Sequence, residues 1–132
     1  MKLADYIADS ALETQGAECP FEDVVFIIAA TGNIKHTRAM QRLAKQHNPA
    51  KVRNDPALQQ QIAVESMAEA ILIGWRGQIT AGDGRVLDPG KIDDRREVLK
   101  SRTLREWIAE QSAITSNFQR IEDAADVDAV KS

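Results

Sequence analysis

Between Asp55 and Pro89 the chain carries the pattern that constrains its fold most. Val64, Met67, Ala68, Ile71, Leu72 and Trp75 recur at i, i+3, i+4, i+7, i+8 and i+11, an apolar stripe at helical period. Asp55 stands immediately before Pro56. Its carboxylate can accept from the first orphan amides of a helix, and a proline at the first helical position forfeits no hydrogen bond. The spacing therefore predicts one helix running from Pro56 into Trp75. Gly74 and Gly77 end it, and Gly82, Asp83 and Gly84 predict a turn between β-capable pieces around Ile79 and Val86, a hairpin near residues 78–87. The rest of the chain has to pack against that stripe.

With 132 residues, 43% of them hydrophobic, the chain fits a single domain spanning 1–132 with one core. Net charge is -3 and no broad basic field stands out, so nucleic acid is not an expected partner. Cys19 is the only cysteine, which rules out an internal disulfide and suits a reducing cytoplasm. Asp5 and Asp9 interrupt the apolar residues of Met1–Glu13, leaving no signal-peptide core. Val24–Ala30, the longest apolar run, is too short to cross a bilayer. A cytoplasmic protein with no membrane partner is expected.

Taken in order, Leu3, Tyr6, Ile7 and Ala11 predict a short amphipathic helix over Met1–Thr14, and Gly16 with Pro20 predicts a loop over Gln15–Pro20. Asp23–Ala30 is rich in Val, Ile and Phe without clean alternation. That predicts a strand, with the pieces near Ile79 and Val86 as its partners. The segment Ile34–His47 reads as a helix with Ala39, Met40, Leu43 and Ala44 on its apolar side. Its other side bears Lys35, Arg38, Arg42 and Lys45, the strongest local charge bias in the chain. This is either an ordinary solvated face or a surface for an acidic partner. Asn48, Pro49 and Asn54–Pro56 bracket an expected flexible linker.

Beyond the hairpin, Asp93 reads as the cap of a helix over Asp93–Ser101, and Thr103 with Glu106 as a capping box for another. From there Leu104, Trp107, Gln111, Ile114, Phe118, Ile121 and Ala125 alternate by three and four residues, a heptad-like seam over about six turns. The seam is either core or a helix contact between subunits. Residues 119–132 read as a fraying acidic tail. The fold expected is mainly α with a small β element, four to five helices with a short N-terminal strand and the 78–87 hairpin.

Chemistry is sparse. His36 and His47 lie eleven residues apart on one predicted helix, about 16 Å, too far to share a metal. Cys19 has no cation beside it in sequence to make a thiolate. Asp83 between glycines suits a turn, and Asp93 with Asp94 diverge by about 100° on a helix. The glycines fit no nucleotide-binding spacing. Trp75 and Trp107 each fall in an apolar stripe and read as core anchors. No catalytic residue, cofactor or metal is expected.

The order of parts from Asp23 to Phe118 resembles the tail assembly chaperones of long-tailed bacteriophages. The matching residues are Trp75 after the apolar helix, the Asp83–Gly84 turn, and the Asn117–Phe118 pair. Asp88-Pro89-Gly90 departs from the family, which more often has an aromatic residue and a serine there. Residues 1–22 and 119–132 lie outside the resemblance. It implies a non-catalytic protein of the host cytoplasm, absent from the mature virion, that keeps the tape measure protein soluble and recruits the major tail protein. A structural tail or head-tail connector subunit is the rival reading. A homo-oligomer is expected, and Leu58, Ile62, Ile73, Leu104, Gln111, Ile114, Phe118 and Ile121 are the candidate client or self-association surface.

Overall fold

The Val-rich segment after Asp23 forms the middle of a three-stranded antiparallel sheet: β1 (Ala17–Phe21), β2 (Val24–Ile28) and β3 (Leu72–Arg76), in the order β1-β2-β3. The computed structural model describes residues 1–3 and 10–119, and every structural statement below concerns these. β1 and β2 are joined through Glu22 and Asp23, with Glu22 at φ 54° and Phe21 opposite Val24. The predicted loop over Gln15–Pro20 is thus a strand. Its alternation is short, with Ala17 and Cys19 buried and Glu18 and Pro20 exposed, and as an edge strand it tolerates the missing amide of Pro20.

The predicted helix into Trp75 stops earlier. α4 covers Pro56–Ala70, capped as expected by the Asp55 carboxylate, which accepts from the Ala57 and Leu58 amides at 3.0 and 3.2 Å. Leu72–Arg76 instead pairs with β2, placing Trp75 opposite Phe26 and Gly74 opposite Ile27. Glycine at 74 weakens a helix interior, and in β3 it is buried beside Pro89. The pieces near Ile79 and Val86 do not pair with β2. They make their own narrow hairpin, with the Leu87 amide donating to Ile79 O and the Ala81 amide to Arg85 O, both at 2.8 Å. Its turn uses Asp83, which accepts from the Arg85 amide at 3.0 Å, and Gly84 at φ 88°.

The described residues contain six α-helices rather than four to five. α1 (Ser10–Gln15) falls at the end of the predicted N-terminal helix, of which Tyr6 and Ile7 lie outside the described residues. α2 (Ile34–Lys45) follows Asn33, whose side chain accepts from the His36 amide and donates to Ala30 O at 2.7 Å and Ala70 O at 3.1 Å. The expected linker is a short helix, α3 (Pro49–Asn54). The Gln59 side chain donates to Val52 O and Arg53 O at 2.8 and 2.9 Å, satisfying carbonyls that the helix end leaves open.

α5 (Ile92–Leu99) starts after Lys91, with Asp93 inside its first turn rather than capping it. α6 (Arg102–Ser112) is capped by Ser101, which accepts from the Leu104 amide at 3.3 Å. Glu106 pairs with Arg102 at 2.8 Å instead of closing a box with Thr103. The six-turn seam is also cut short. The Thr31 amide takes the Ser112 carbonyl at 2.9 Å, and a 3-10 turn, Thr115–Phe118, follows.

The core lies between one sheet face and α4, α5 and α6. It holds Phe26, Ile28, Met67, Ala68, Ile71, Leu72, Trp75, Leu99 and Ile108. Phe26 stands between Trp75 (ring centroids 6.4 Å) and Trp107 (5.6 Å), and Phe21 meets Trp107 edge-on at 4.9 Å. Trp75 is buried and Trp107 half-buried. Arg95 of α5 reaches under this core to donate to Ala68 O at 2.9 Å, tying the end of α4 to its neighbour. A second small cluster joins Ala17, Ala30 and Phe118. Among the described residues no helix is long and apolar enough to cross a membrane.

Candidate docking groove

α4, α5 and α6 meet around a tight corner at Lys100–Ser101, where the Ser101 amide bonds Val98 O at 3.1 Å. The corner turns Arg105 back so that its guanidinium donates to Leu99 O at 3.0 Å. Across the gap Arg96 bonds Glu65 of α4 at 2.6 Å and also pairs with Asp93. Between these contacts runs an open groove of about 650 Å3. Val64, Leu99 and Ala57 give it a largely apolar lining. Gln60, Gln61 and Glu65 line it from α4, and Arg96, Lys100 and Arg105 from the α5–α6 side. Glu65 is the one acid in the lining, and its hydrogen bond holds the Arg96 guanidinium firmly protonated, above the usual arginine range. A largely apolar lining with amides and one acid on the α4 side and cations on the other suits an amphipathic helix.

The residues expected to form a partner surface do not converge on this groove. Leu58 and Ile62 are buried, on the ridge that continues through Ser66 to Ala70. That ridge meets α2, with Asn33 on Ala70 O and His36 3.4 Å from Ser66. α4 is therefore apolar on two sides, and the second partner its outer residues require comes from the same chain. Ile73 is half-buried beside the register shift between β2 and β3. Leu104 and Ile114 are half-buried, and Leu104 packs on the main core. Gln111 accepts from Asn117 through its carbonyl (3.1 Å) and side chain (3.3 Å), so it pins the 3-10 turn rather than setting an intermolecular register. Phe118 is buried in the small cluster, and Ile121 lies outside the described residues.

One nucleophile and base do come together, unforeseen from sequence because thirty residues separate them: Ser66 and His36. The arrangement is unsuited to activating the serine. The Gly32 amide donates to His36 Nδ1 at 3.0 Å, so the neutral ring carries its proton on Nε2, the atom facing Ser66. Ser66 is fully buried and donates to Ala63 O at 2.9 Å. Burial lowers the His36 pKa, favouring that neutral ring. Cys19 is buried too, and desolvation pushes its thiol upward, away from the thiolate a nucleophile needs.

The other buried ionisable side chain is Asp94. It accepts from the Asp88 amide at 2.8 Å and from Arg85 at 2.7 Å, and both hold its carboxyl below the usual range. It fastens the 78–87 hairpin to α5. Among the described residues no group of three or more His, Cys, Asp or Glu is arranged to hold a metal. No known protein family, curated protein or solved structure matches the chain.

Proposed function

We propose that this chain is a non-catalytic phage tail assembly chaperone. It binds the tape measure protein, keeps it soluble and recruits the major tail protein in the host cytoplasm, and it leaves before the virion is complete. The observation that carries the reading is the open groove between α4 and the α5–α6 corner, largely apolar in its lining with polar side chains from both sides. A protein that holds an apolar helical chain in solution works through such surface rather than through placed acids and bases. The family resemblance adds to it through Trp75, Asp83, Gly84, Asn117 and Phe118, which lie in the core, the hairpin turn and, for the last two, the 3-10 turn after α6.

Co-expression with a phage tape measure protein is the test. The client is expected in the soluble fraction only when this chain is present, and Val64→Glu, at the half-buried wall of the groove, is expected to return it to the pellet while the variant itself stays folded by circular dichroism. A folded Val64→Glu that still solubilises the client removes the groove from the mechanism. Mass spectrometry of purified particles separates the chaperone from a tail or connector subunit, since only the latter persists in the virion.

A further inference from the structure

From Val24 to Asn54 the sequence has 31 residues without one acid. They hold six of the 17 basic residues and none of the 20 acids, so this stretch is +6 and the remaining 101 residues are −9. Six of the acids and two of the bases lie outside the described residues; within these, the fold carries the basic stretch on α2 and α3, the basic pole, and leaves Glu22 and Asp23 at the β1–β2 turn, the turn pole. β2 begins at the Glu22–Asp23 turn and delivers the chain at its far end to the start of α2, and α2 and α3 both pack on α4. β3 runs antiparallel from beside Ile28 to beside Val25, so the segment after Arg76 emerges at the turn end. Gly77 lies against that turn, a Cβ there falling 3.1 Å from Asp23 O.

At the α2–α3 pole Lys35, Arg38, Lys45, Lys51 and Arg53 are exposed and make no ion pair among the described residues, while Arg42 pairs with Glu69. At the β1–β2 turn Glu22 and Asp23 are exposed and make no ion pair among the described residues, and Arg76, at the adjoining end of β3, is engaged by Glu18. The basic pole also has a hollow of about 450 Å3 lined by Lys35, Arg38, Ala39, Arg42 and Ala70, with Glu69, which Arg42 pairs, as its one acid. The Phe21–Val24 turn is narrow, its two end residues packed on the core and its two central carboxylates exposed.

We infer that the α2–α3 face docks the β1–β2 turn pole of a second copy of this chain. The complementary charge is present on every molecule, at equal concentration and on a different element. Because the two surfaces differ, the contact is head-to-tail and repeats, generating rings or filaments rather than a closed two-fold dimer. It is an ionic contact, distinct from the client groove, and it stands whether or not the chain is a tail chaperone.

Sedimentation velocity across a salt series tests it. Below about 0.05 M salt the weight-average mass is expected to rise to about twice the 14.6 kDa monomer or more, and near 1 M, where screening acts within about 3 Å, to return to one copy. Lys35→Glu/Arg38→Glu places acids in the first turns of α2, which the helix dipole favours, so the variant keeps its fold. Glu22→Lys/Asp23→Lys alters two exposed turn side chains that make no hydrogen bond among the described residues. Each variant alone is expected to stay monomeric at low salt, and an equimolar mixture to associate again, because each restores the surface the other lacks. A wild-type monomer at low salt, association indifferent to salt, or failure of the folded variants to complement overturns the inference. So does low-salt binding of a single-stranded oligonucleotide by a protein that remains monomeric, which would assign the basic face to phosphate.

Discussion

Trp75 offers the sharpest quantitative test of the packing, because two substitutions there separate burial from hydrogen bonding. The side chain is 5% exposed in β3 beside Phe26, yet its indole N–H is buried with no acceptor among the described residues. Trp75→Ala removes the anchor shared by β3 and α4 and is expected to cost about 3–5 kcal/mol. For a domain holding about 5–15 kcal/mol in all, that is about a fifth of the total or more. Trp75→Phe vacates only a few tens of cubic ångström, about 1 kcal/mol at ~24 cal/mol per Å3. It also deletes the unpaired donor, whose burial costs about 1–3 kcal/mol. The two terms offset, so Trp75→Phe is expected within about 1 kcal/mol of wild type. Urea unfolding followed by far-ultraviolet circular dichroism measures both, and at a slope of about 1–3 kcal/mol/M the variants should differ in midpoint by about 1 M or more. If Phe is as damaging as Ala, the indole N–H is bonded and its unpaired state is wrong. If Ala costs under about 1 kcal/mol, Trp75 is no anchor and becomes available to a partner.

Acid should loosen the seat of α2. His36 has its pKa lowered by burial, so the folded state favours the neutral ring; stability is intact above the ordinary histidine value of about 6.5 and is lost as pH falls below it toward the folded value. His36→Gln is expected to flatten that part of the stability–pH curve, and an unchanged slope between pH 7.5 and 5 would contradict it. Asp94→Asn weakens the clasp on the hairpin, so the Asp88 and Leu87 amides should exchange faster with deuterium while those of β2 keep their protection. The wild-type carboxylate, held low by the Asp88 amide and Arg85, supports this clasp above the ordinary aspartate range, and the support fades as pH falls through its folded pKa. Gly16→Ala should destabilise, because φ is 96° and the new Cβ would lie 2.8 Å from Ile27 Cγ2; a melting temperature equal to wild type would contradict that geometry.

What the sequence disclosed follows from how local each cause is. The Asp55–Pro56 start of α4, the α2 span, the β-rich segment after Asp23 and the Asp83–Gly84 turn rest on a few adjacent residues, and all four appear in the structure. The stripe through Trp75 misleads for a specific reason. The register shift at Ile27/Ile28 leaves Ile73 without a partner of its own, so Leu72, Gly74 and Trp75 are all buried and the period of two disappears. α6 misleads differently: its spacing continues through Ile114 and Phe118, but Phe118 serves the small cluster with Ala17 and Ala30 rather than a longer helix. The contacts that frame the candidate groove, Glu65 with Arg96 and Arg105 with Leu99 O, depend on how helices cross, and the first spans 31 residues with no periodic trace.

The same distinction decides which surface signals survive folding. Leu58, Ile62 and Phe118 read as partner residues because they are apolar, and apolar residues are what a core consumes: the molecule buries all three. Lys35, Arg38, Lys45, Lys51 and Arg53 cannot be consumed in that way, since burying an unpaired ammonium or guanidinium costs more than the packing returns. Their clustering in one acid-free stretch therefore passes from sequence to surface nearly unchanged. In a small chain such as this one, a lopsided charge distribution read from the sequence is stronger evidence of an interaction face than an unassigned apolar residue on a helix.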